Sequence, residues 1–146
     1  RARKRSDMEW HEEHRVGIPR FDEDHRIVFD LLKGFEGGSA NGLDRAQIQA
    51  TFDALWGYVL SHFEREEDLM EVHGYPGAAE HKAHHEALKE GLTLLRTRYA
   101  ADDPDVLKDL GPFVDAWLNI HILEQDMAYK DYFERNMSAD ERAQIA

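Results

Sequence analysis

Apolar residues recur at helical spacing through most of the chain, and no segment alternates in the way that predicts a β-strand. The repeat predicts four helices, over about 22–35, 43–72, 78–100 and 104–136. Short loops rich in glycine, proline and aspartate separate them, and helices joined by short loops pack antiparallel. The sequence therefore predicts an all-α protein, an up-down-up-down antiparallel four-helix bundle.

The helix ends and the N-terminal lead-in carry their own signals. Residues 8–20 are interrupted by glycine and proline, so we expect an irregular N-terminal arm that lays Trp10, Val16 and Ile18 on the core. The dipeptide 103–104, aspartate then proline, predicts an N-cap and the first position of the fourth helix. The segment 138–141, Ser-Ala-Asp-Glu, predicts a capping box for a short terminal helix.

Composition narrows the classes of function. The chain has 146 residues, which suits one domain, and its 30 acidic and 18 basic residues give a formal net charge of -12. An acidic chain argues against a nucleic-acid partner. No apolar run approaches the ~18–20 residues that span a bilayer, so we expect no membrane insertion and a cytoplasmic location. Cysteine is absent, which excludes thiolate metal sites and thiol catalysis.

Basic charge is concentrated at the start of the chain, at Arg1, Arg3, Lys4 and Arg5. A basic stub of this kind can touch anionic lipid or nucleic acid, but it is more often a linker or a processing remnant. We therefore divide the chain into a basic N-terminal segment, 1–9, and one helical domain, 10–146.

A set of histidines and carboxylates, spread over all four predicted helices, defines the candidate site. The set is His25 on the first helix, His62 and Glu66 on the second, His81 and His85 on the third, and His121 and Asp126 on the fourth. Residues four apart share one helix face, so the pairs on the second and third helices point the same way. His121 and Asp126 are five apart, which predicts a local bend or π-type widening there.

Apolar neighbours place these side chains in the bundle interior, as Phe63 does beside His62 and Ile122 beside His121. Unpaired burial of imidazole or carboxylate costs several kcal/mol, and metal coordination satisfies the whole set at once. Imidazole with carboxylate and no thiolate suits iron, zinc, copper or manganese. Seven ligands exceed one tetrahedral zinc and suit two metals that share carboxylates.

Four motifs extend the set: Ile18…Phe21-Asp22-x-x-His25, His62-Phe63-x-x-Glu66-Glu67, Gly74-Tyr75-Pro76…His81-Lys82-x-x-His85 and His121-Ile122-x-x-x-Asp126-x-x-Tyr129. From residue 10 to about residue 133, the chain resembles the hemerythrin family, in particular its bacterial domains. The resemblance implies two non-heme iron ions with a bridging oxo or hydroxo group. One iron would be held by His81, His85 and His121, the other by His25 and His62, with Glu66 and Asp126 bridging them.

The resemblance also implies a function, which is reversible dioxygen binding at an open position of the two-histidine iron. Such a position needs apolar cover, because water and protons would promote oxidation of the iron. The candidates for that cover are Phe29, Phe63, Trp117, Leu118 and Ile122. We prefer Glu66 to Glu67 as the bridging residue because Glu67 is one residue further from the spacing that faces His62. Tyr129 is either a hydrogen-bonding neighbour of the site or packing.

Three functional hypotheses follow. The first is a non-enzymatic di-iron protein that carries, stores or senses dioxygen. The second is a di-iron enzyme that handles peroxide, nitric oxide or ferrous iron. It is disfavoured because the Glu-x-x-His motif of ferritin-like di-iron sites is absent from the sequence. The third is a redox-sensing regulatory module, with a signalling domain fused to it or bound as a partner.

Overall fold

The four predicted helices are present in the computed structural model, which describes residues 12–38 and 45–145. α1 spans Pro19–Gly38, α2 spans Arg45–Val72 and α3 spans Ala78–Ala100. The fourth rod is continuous and consists of α4 (Val106–Asp115), a π-helical segment (Ala116–Asp126) and α5 (Met127–Asn136), and α6 (Ala139–Ala143) follows it. Within the described residues, no helix has the length and apolarity needed to cross a bilayer.

The helices close into a bundle because each packs on two neighbours. α1 packs on α2, α2 on α3, α3 on α4, and α4 returns to α1. Only a few residues separate successive helices, which run antiparallel, so the predicted up-down-up-down four-helix architecture is confirmed.

The apolar core is divided into two clusters. The first apolar cluster comprises Val28, Phe29, Ile48, Phe52, Leu55, Val59, Phe63, Leu92, Leu95, Tyr99, Val106, Leu110 and Trp117. The second apolar cluster comprises Val16, Ile18, Phe21, Leu69, Met70, Tyr129, Phe133 and Met137. Along α1 and the fourth rod, the histidines and carboxylates of the candidate site fall between the two clusters. On α2, His62 lies at the edge of the first cluster beside Phe63, and Glu66 lies between the two clusters.

The N-terminal arm packs on the second apolar cluster, as the sequence predicts for two of its three apolar residues. Val16 and Ile18 are fully buried, whereas Trp10 lies outside the described residues. The Asp22 carboxylate of α1 accepts the Val16 N–H at 2.7 Å. This bond holds the arm where it turns into the bundle.

The C-terminal helix, α6, binds the same arm through a hydrogen bond from Arg142. Its predicted capping box is present, since the Ser138 hydroxyl accepts the Glu141 N–H at 3.1 Å and the Glu141 carboxylate accepts the Ser138 N–H at 2.9 Å. Arg142 then donates to the Gly17 carbonyl at 3.0 Å. Gly17 has φ +87, a left-handed conformation that favours glycine, so the arm turns sharply at this position.

The predicted start of the fourth helix is wrong by two residues. The helix begins at Val106 rather than at Pro104. The Asp103 side chain does not cap a helix that starts at the proline, because it accepts the Asp105 N–H at 2.8 Å and is also bound by Arg98 at 2.7 Å. An aspartate that bonds two residues ahead forms a turn, and this turn precedes the helix.

Candidate metal centre

The seven residues singled out from the sequence lie together at the level between the two apolar clusters. None is more than 4% exposed. Their ligand atoms form two groups, and within each group all atoms lie within 4.8 Å of one another. The first group is Glu66, His81, His85, His121 and Asp126, and the second is His25, His62, Glu66 and Asp126. The two groups therefore share both carboxylates.

Regular helical geometry is sufficient to place the residues of α2 and α3. His62 and Glu66 are one turn apart, and the His62 Nε2 lies 3.1 Å from a Glu66 carboxylate oxygen. His81 and His85 face the same carboxylate from α3, at 3.5 Å and 3.0 Å from its other oxygen. The i, i+4 spacing thus brings two side chains from each helix to one point.

The fourth rod needs its π-helical segment to do the same. Five residues separate His121 from Asp126, and at about 100° per residue an α-helix would turn them to different faces. The segment Ala116–Asp126 is π-helical, as the spacing predicts, and its wider turn brings residues five apart to one face. As a result, the His121 Nε2 lies 3.1 Å from an Asp126 oxygen.

The Glu66 carboxylate lies between two sets of histidines. We call His81, His85 and His121 the three-histidine side, and His25 and His62 the two-histidine side. The Glu66 Oε1 atom faces His85 and His81, at 3.0 and 3.5 Å. The Oε2 atom faces His62 and His25, at 3.1 and 3.3 Å.

Asp126 divides its oxygens in the same way. Its Oδ1 atom lies 3.0 Å from His81 and 3.1 Å from His121, on the three-histidine side. Its Oδ2 atom lies 3.0 Å from His25, on the two-histidine side. Each of the two carboxylates therefore presents one oxygen to each side, which is the arrangement that a bridging ligand requires.

The centre holds buried polar atoms that the protein itself leaves unsatisfied. In the described part of the chain, the Nε2 atoms of all five histidines lack a hydrogen-bond partner of acceptable geometry. The same holds for both Asp126 oxygens and one Glu66 oxygen. Buried polar groups are nearly always paired, and these atoms converge on common points between the helices. Imidazole and carboxylate donors arranged in this way fit a pair of first-row transition-metal ions.

The electrostatics of the centre favour a cation. Burial lowers the pKa of His25 and His81, but the Asp126 and Glu66 carboxylates outweigh burial and raise each pKa to about 10. Burial raises the pKa of both carboxyls, and the surrounding imidazoles bring it below its usual value. For His121, burial dominates and lowers the pKa to about 4. Without a metal, protons must balance the two carboxylates, and a bound cation takes their place.

An outer layer of acceptors orients three of the imidazoles. Their Nδ1 atoms donate to Asp24 from His62 at 3.1 Å, to Glu67 from His85 at 2.7 Å, and to Gln125 from His121 at 2.8 Å. Each of these bonds turns the Nε2 atom of the same ring toward the centre. Glu67 therefore lies outside the centre, whereas Glu66 lies within it.

Tyr129 contributes to both the site and the packing. Its hydroxyl donates a short hydrogen bond to the Glu66 Oε2 atom, and its ring belongs to the second apolar cluster. Burial, followed by the nearby Glu66 and Asp126 charges, raises the pKa of the phenol well above its usual value. The phenol therefore keeps its proton and acts as a donor to the carboxylate.

Three of the five predicted cover residues have described side chains, and all three are buried. Phe63 stacks on His85 with ring centroids 3.7 Å apart, and Trp117 meets His121 edge-on at 6.5 Å. Phe29 is 1% exposed and belongs to the first apolar cluster with the other two. The side chains of Leu118 and Ile122 lie outside the described part of the structure. That these residues cover a dioxygen site stays a prediction.

Comparison with known proteins identifies the family. The family model of the hemerythrin HHE cation binding domain matches residues 16–133, which contain the first apolar cluster, the centre, and all of the second apolar cluster except Met137. The chain belongs to the hemerythrin family. A bacteriohemerythrin of Stenotrophomonas maltophilia (strain R551-3) is 31% identical over 129 residues, which are 88% of this chain and 83% of that protein.

Further hemerythrin-family relatives agree in sequence and in structure. A bacteriohemerythrin of Methylococcus capsulatus (strain ATCC 33009 / NCIMB 11132 / Bath) is 35% identical over 108 residues, covering 74% of this chain and 82% of that protein. A crystal structure of a hemerythrin variant superposes with a TM-score of 0.76 at 31% identity, covering 86% of this chain and 95% of that one. The resemblance found from the motifs is therefore confirmed at the level of family and fold.

The residues of the outer layer were not found from the sequence. Asp24 precedes a predicted ligand, His25, yet its partner is His62, 38 residues away on another helix. Gln125 precedes Asp126 and carries no charge that would mark it. An acidic or amide residue beside a predicted ligand was the available signal, but the sequence does not tell which imidazole such a residue meets.

Proposed function

We propose that this hemerythrin-family chain binds two iron ions and reversibly binds dioxygen. The observation that carries the proposal is the division of the carboxylate oxygens. Glu66 and Asp126 each present one oxygen to the three-histidine side and one to the two-histidine side. The arrangement supports two metal positions rather than one, and the family supports iron as the metal.

The ligand assignment follows from the two groups of atoms. His81, His85 and His121 would hold one iron, and His25 and His62 would hold the other. Glu66 and Asp126 would serve both, together with a solvent-derived bridge. Fewer protein ligands face the iron position beside His25 and His62, which supports dioxygen binding at this two-histidine iron. When bound, the iron pair supplies the electrons that make reversible dioxygen binding possible.

The protein's own contribution is to orient the ligands and to exclude water. The aromatic rings of Phe63 and Trp117 pack against the three-histidine side and belong to the first apolar cluster. On the side of the second apolar cluster, Tyr129 holds its proton at the Glu66 carboxylate. A site enclosed in this way limits access of water and protons, which favours reversible binding over oxidation.

We propose a non-enzymatic role as carrier, store or sensor of dioxygen. The family membership supports this role over a di-iron enzyme acting on peroxide, nitric oxide or ferrous iron. A cytoplasmic location, a domain starting at residue 10, and a signalling domain fused to the chain or bound as a partner stay predictions from the sequence.

A cycle of oxygen exposure and removal tests the proposal. The protein is loaded with ferrous iron without oxygen, exposed to oxygen, and then returned to an oxygen-free atmosphere, while visible absorption is recorded. We expect an oxygen-dependent absorption band that appears and disappears over repeated cycles, with two irons per chain. Rapid irreversible oxidation, or turnover of peroxide or nitric oxide, would instead favour the enzyme hypothesis.

A further inference from the structure

We propose that Asp24 is a positioning residue that acts through His62 to set the charge at the two-histidine iron. The inference rests on the proposed function, because it assumes that His62 is a ligand. It goes beyond that function because Asp24 is not one of the proposed ligands, and because the structure predicts in which direction Asp24 shifts the oxidation state of the iron. Removing the Asp24 charge makes the iron pair easier to keep reduced, and removing its arginine partner has the opposite effect.

Asp24 is a carboxylate buried behind the centre, with 1% of its surface exposed. Its Oδ2 atom accepts the His62 Nδ1–H at 3.1 Å and a guanidinium N–H of Arg65 at 3.0 Å. Its Oδ1 atom lies 3.5 Å from the Arg20 guanidinium. The opposite nitrogen of His62, Nε2, faces Glu66 at the centre. A single imidazole ring therefore separates this buried charge from the two-histidine side.

On the two-histidine side, His62 is the one imidazole of the described residues whose Nδ1 atom is bound to an outer carboxylate. In the part of the chain that the structure describes, the Nδ1 atom of His25 has no hydrogen-bond partner. The three-histidine side is arranged differently, because His121 donates to the neutral amide of Gln125 and His85 donates to Glu67, whose side chain is 22% exposed. Asp24 is thus the most deeply buried outer charge of the centre.

Two physical effects give Asp24 its influence. A carboxylate that accepts the Nδ1–H of a ligand imidazole fixes the ring and makes Nε2 a stronger donor to the metal. A buried charge also acts through a low dielectric, so it stabilises the more positive oxidation state of iron more than a surface charge does. Arg65 opposes this effect, because its guanidinium shares the same carboxylate oxygen while its side chain is 28% exposed.

The test compares Asp24→Asn with Arg65→Gln in the iron-loaded protein. The measured quantity is the ferric-to-ferrous ratio at one fixed ambient potential, read from visible absorption with redox mediators. We expect the ratio to fall by about tenfold in D24N and to rise by about threefold in R65Q, the smaller effect reflecting the exposure of Arg65. Opposite directions are not expected from a loss of packing.

A surface ion pair between α2 and α3 supplies the matched control. Asp53 and Arg96 form an exposed ion pair at 2.7 Å, so D53N and R96Q change the net charge by the same amounts. We expect both to leave the ferric-to-ferrous ratio unchanged, since exposed charges are screened. Equal shifts in D24N and D53N, or shifts of one sign in D24N and R65Q, would overturn the inference.

A second measurement tests whether Asp24 positions the ring. In an oxygen-free titration with a competing chelator, Asp24→Ala should weaken one of the two ferrous sites by about 10–100-fold. D24N keeps an acceptor for His62 and should restore wild-type affinity. If D24A left both sites unchanged, the positioning role would be refuted although the proposed function stands. If the wild-type chain bound no iron, the proposed function itself would fail.

Discussion

The apolar clusters and the polar layer between them are equally buried but differ in what stabilises them. Phe52 in the first apolar cluster and Glu66 in the polar layer are both 0% exposed. Burial of the phenylalanine removes apolar surface from water and favours folding. Burial of the carboxylate removes a charge from water, which is unfavourable without a partner. Burial alone therefore does not tell whether a residue stabilises the bundle.

The clusters and the polar layer therefore have different roles along the helices. The two clusters on either side supply the packing that holds the helices together, and this packing does not depend on a metal. The layer between them collects charges and unsatisfied imidazoles that a metal pair would satisfy. We therefore expect changes in the layer to affect metal binding, and changes in the clusters to affect the free energy of unfolding.

The largest effect is expected from Glu66→Ala. Because its two oxygens face the two sides of the centre, the variant should fall from two irons per chain to almost none. Iron per folded chain, measured by elemental analysis after anaerobic reconstitution, checks this. Glu64→Ala, an exposed change on the same helix, is the matched control and should keep both irons. Two irons retained in E66A would show that the ligand assignment is wrong.

In the apolar cluster, Phe52→Ala should act on stability instead. Its ring is fully buried and packs against Tyr99 at 5.7 Å, so its removal leaves a cavity. We expect a loss of about 3–5 kcal/mol in the free energy of unfolding, measured by denaturant titration of the metal-free protein. Iron per folded chain should stay at two. Leu60→Ala, at a position 42% exposed, should change stability much less.

In the metal-free protein, we expect the polar layer, and not the apolar clusters, to make the free energy of unfolding depend on pH. His25 and His81 have a pKa of about 10 in the folded chain, above the ~6.5 of an unfolded histidine. The stability that these two protonated histidines give to the folded state is fully present below about pH 6.5 and is lost as the pH rises toward 10. His121, with a pKa lowered to about 4, makes the folded state lose stability as the pH falls from about 6.5 toward 4.

We therefore expect the metal-free protein to be most stable near pH 6.5–7. Above that range, its free energy of unfolding should fall by about 1 kcal/mol or more per pH unit. In the iron-loaded protein the imidazoles are already neutral ligands, so this fall should be absent between pH 7 and pH 9. Thermal unfolding of both forms across these pH values checks the prediction. Parallel curves for the two forms would contradict it.

The smallest effect concerns Tyr129, which belongs to both regions. Tyr129→Phe keeps the ring in the second apolar cluster and removes only the hydroxyl that donates to Glu66. We expect the metal-free protein to lose about 1–3 kcal/mol, because the acceptor is charged. Tyr132→Phe is the matched control, since its hydroxyl donates at 2.6 Å to the neutral carbonyl of His73. If Tyr132→Phe lost more stability than Tyr129→Phe, the charge of the Glu66 acceptor would not account for the contribution of the Tyr129 hydroxyl.

Much of the fold and the inner site could be predicted because their signals are local. Spacing along one helix decides which residues share a face, and this placed His62 beside Glu66 and even predicted the π-helical widening before Asp126. The start of the fourth helix was wrong because the Asp103 side chain is engaged by Arg98 from the end of α3. That competition depends on a contact between two elements.

The sequence by itself determined the helices, their inward faces and the set of histidines and carboxylates that share those faces. Only the tertiary structure decided which oxygen of Glu66 meets which side of the centre, and which acceptor each imidazole finds. The physical reason is that helical periodicity is set by backbone geometry within one segment. A contact such as that of Asp24 with His62 depends instead on how two helices are rotated and shifted against each other.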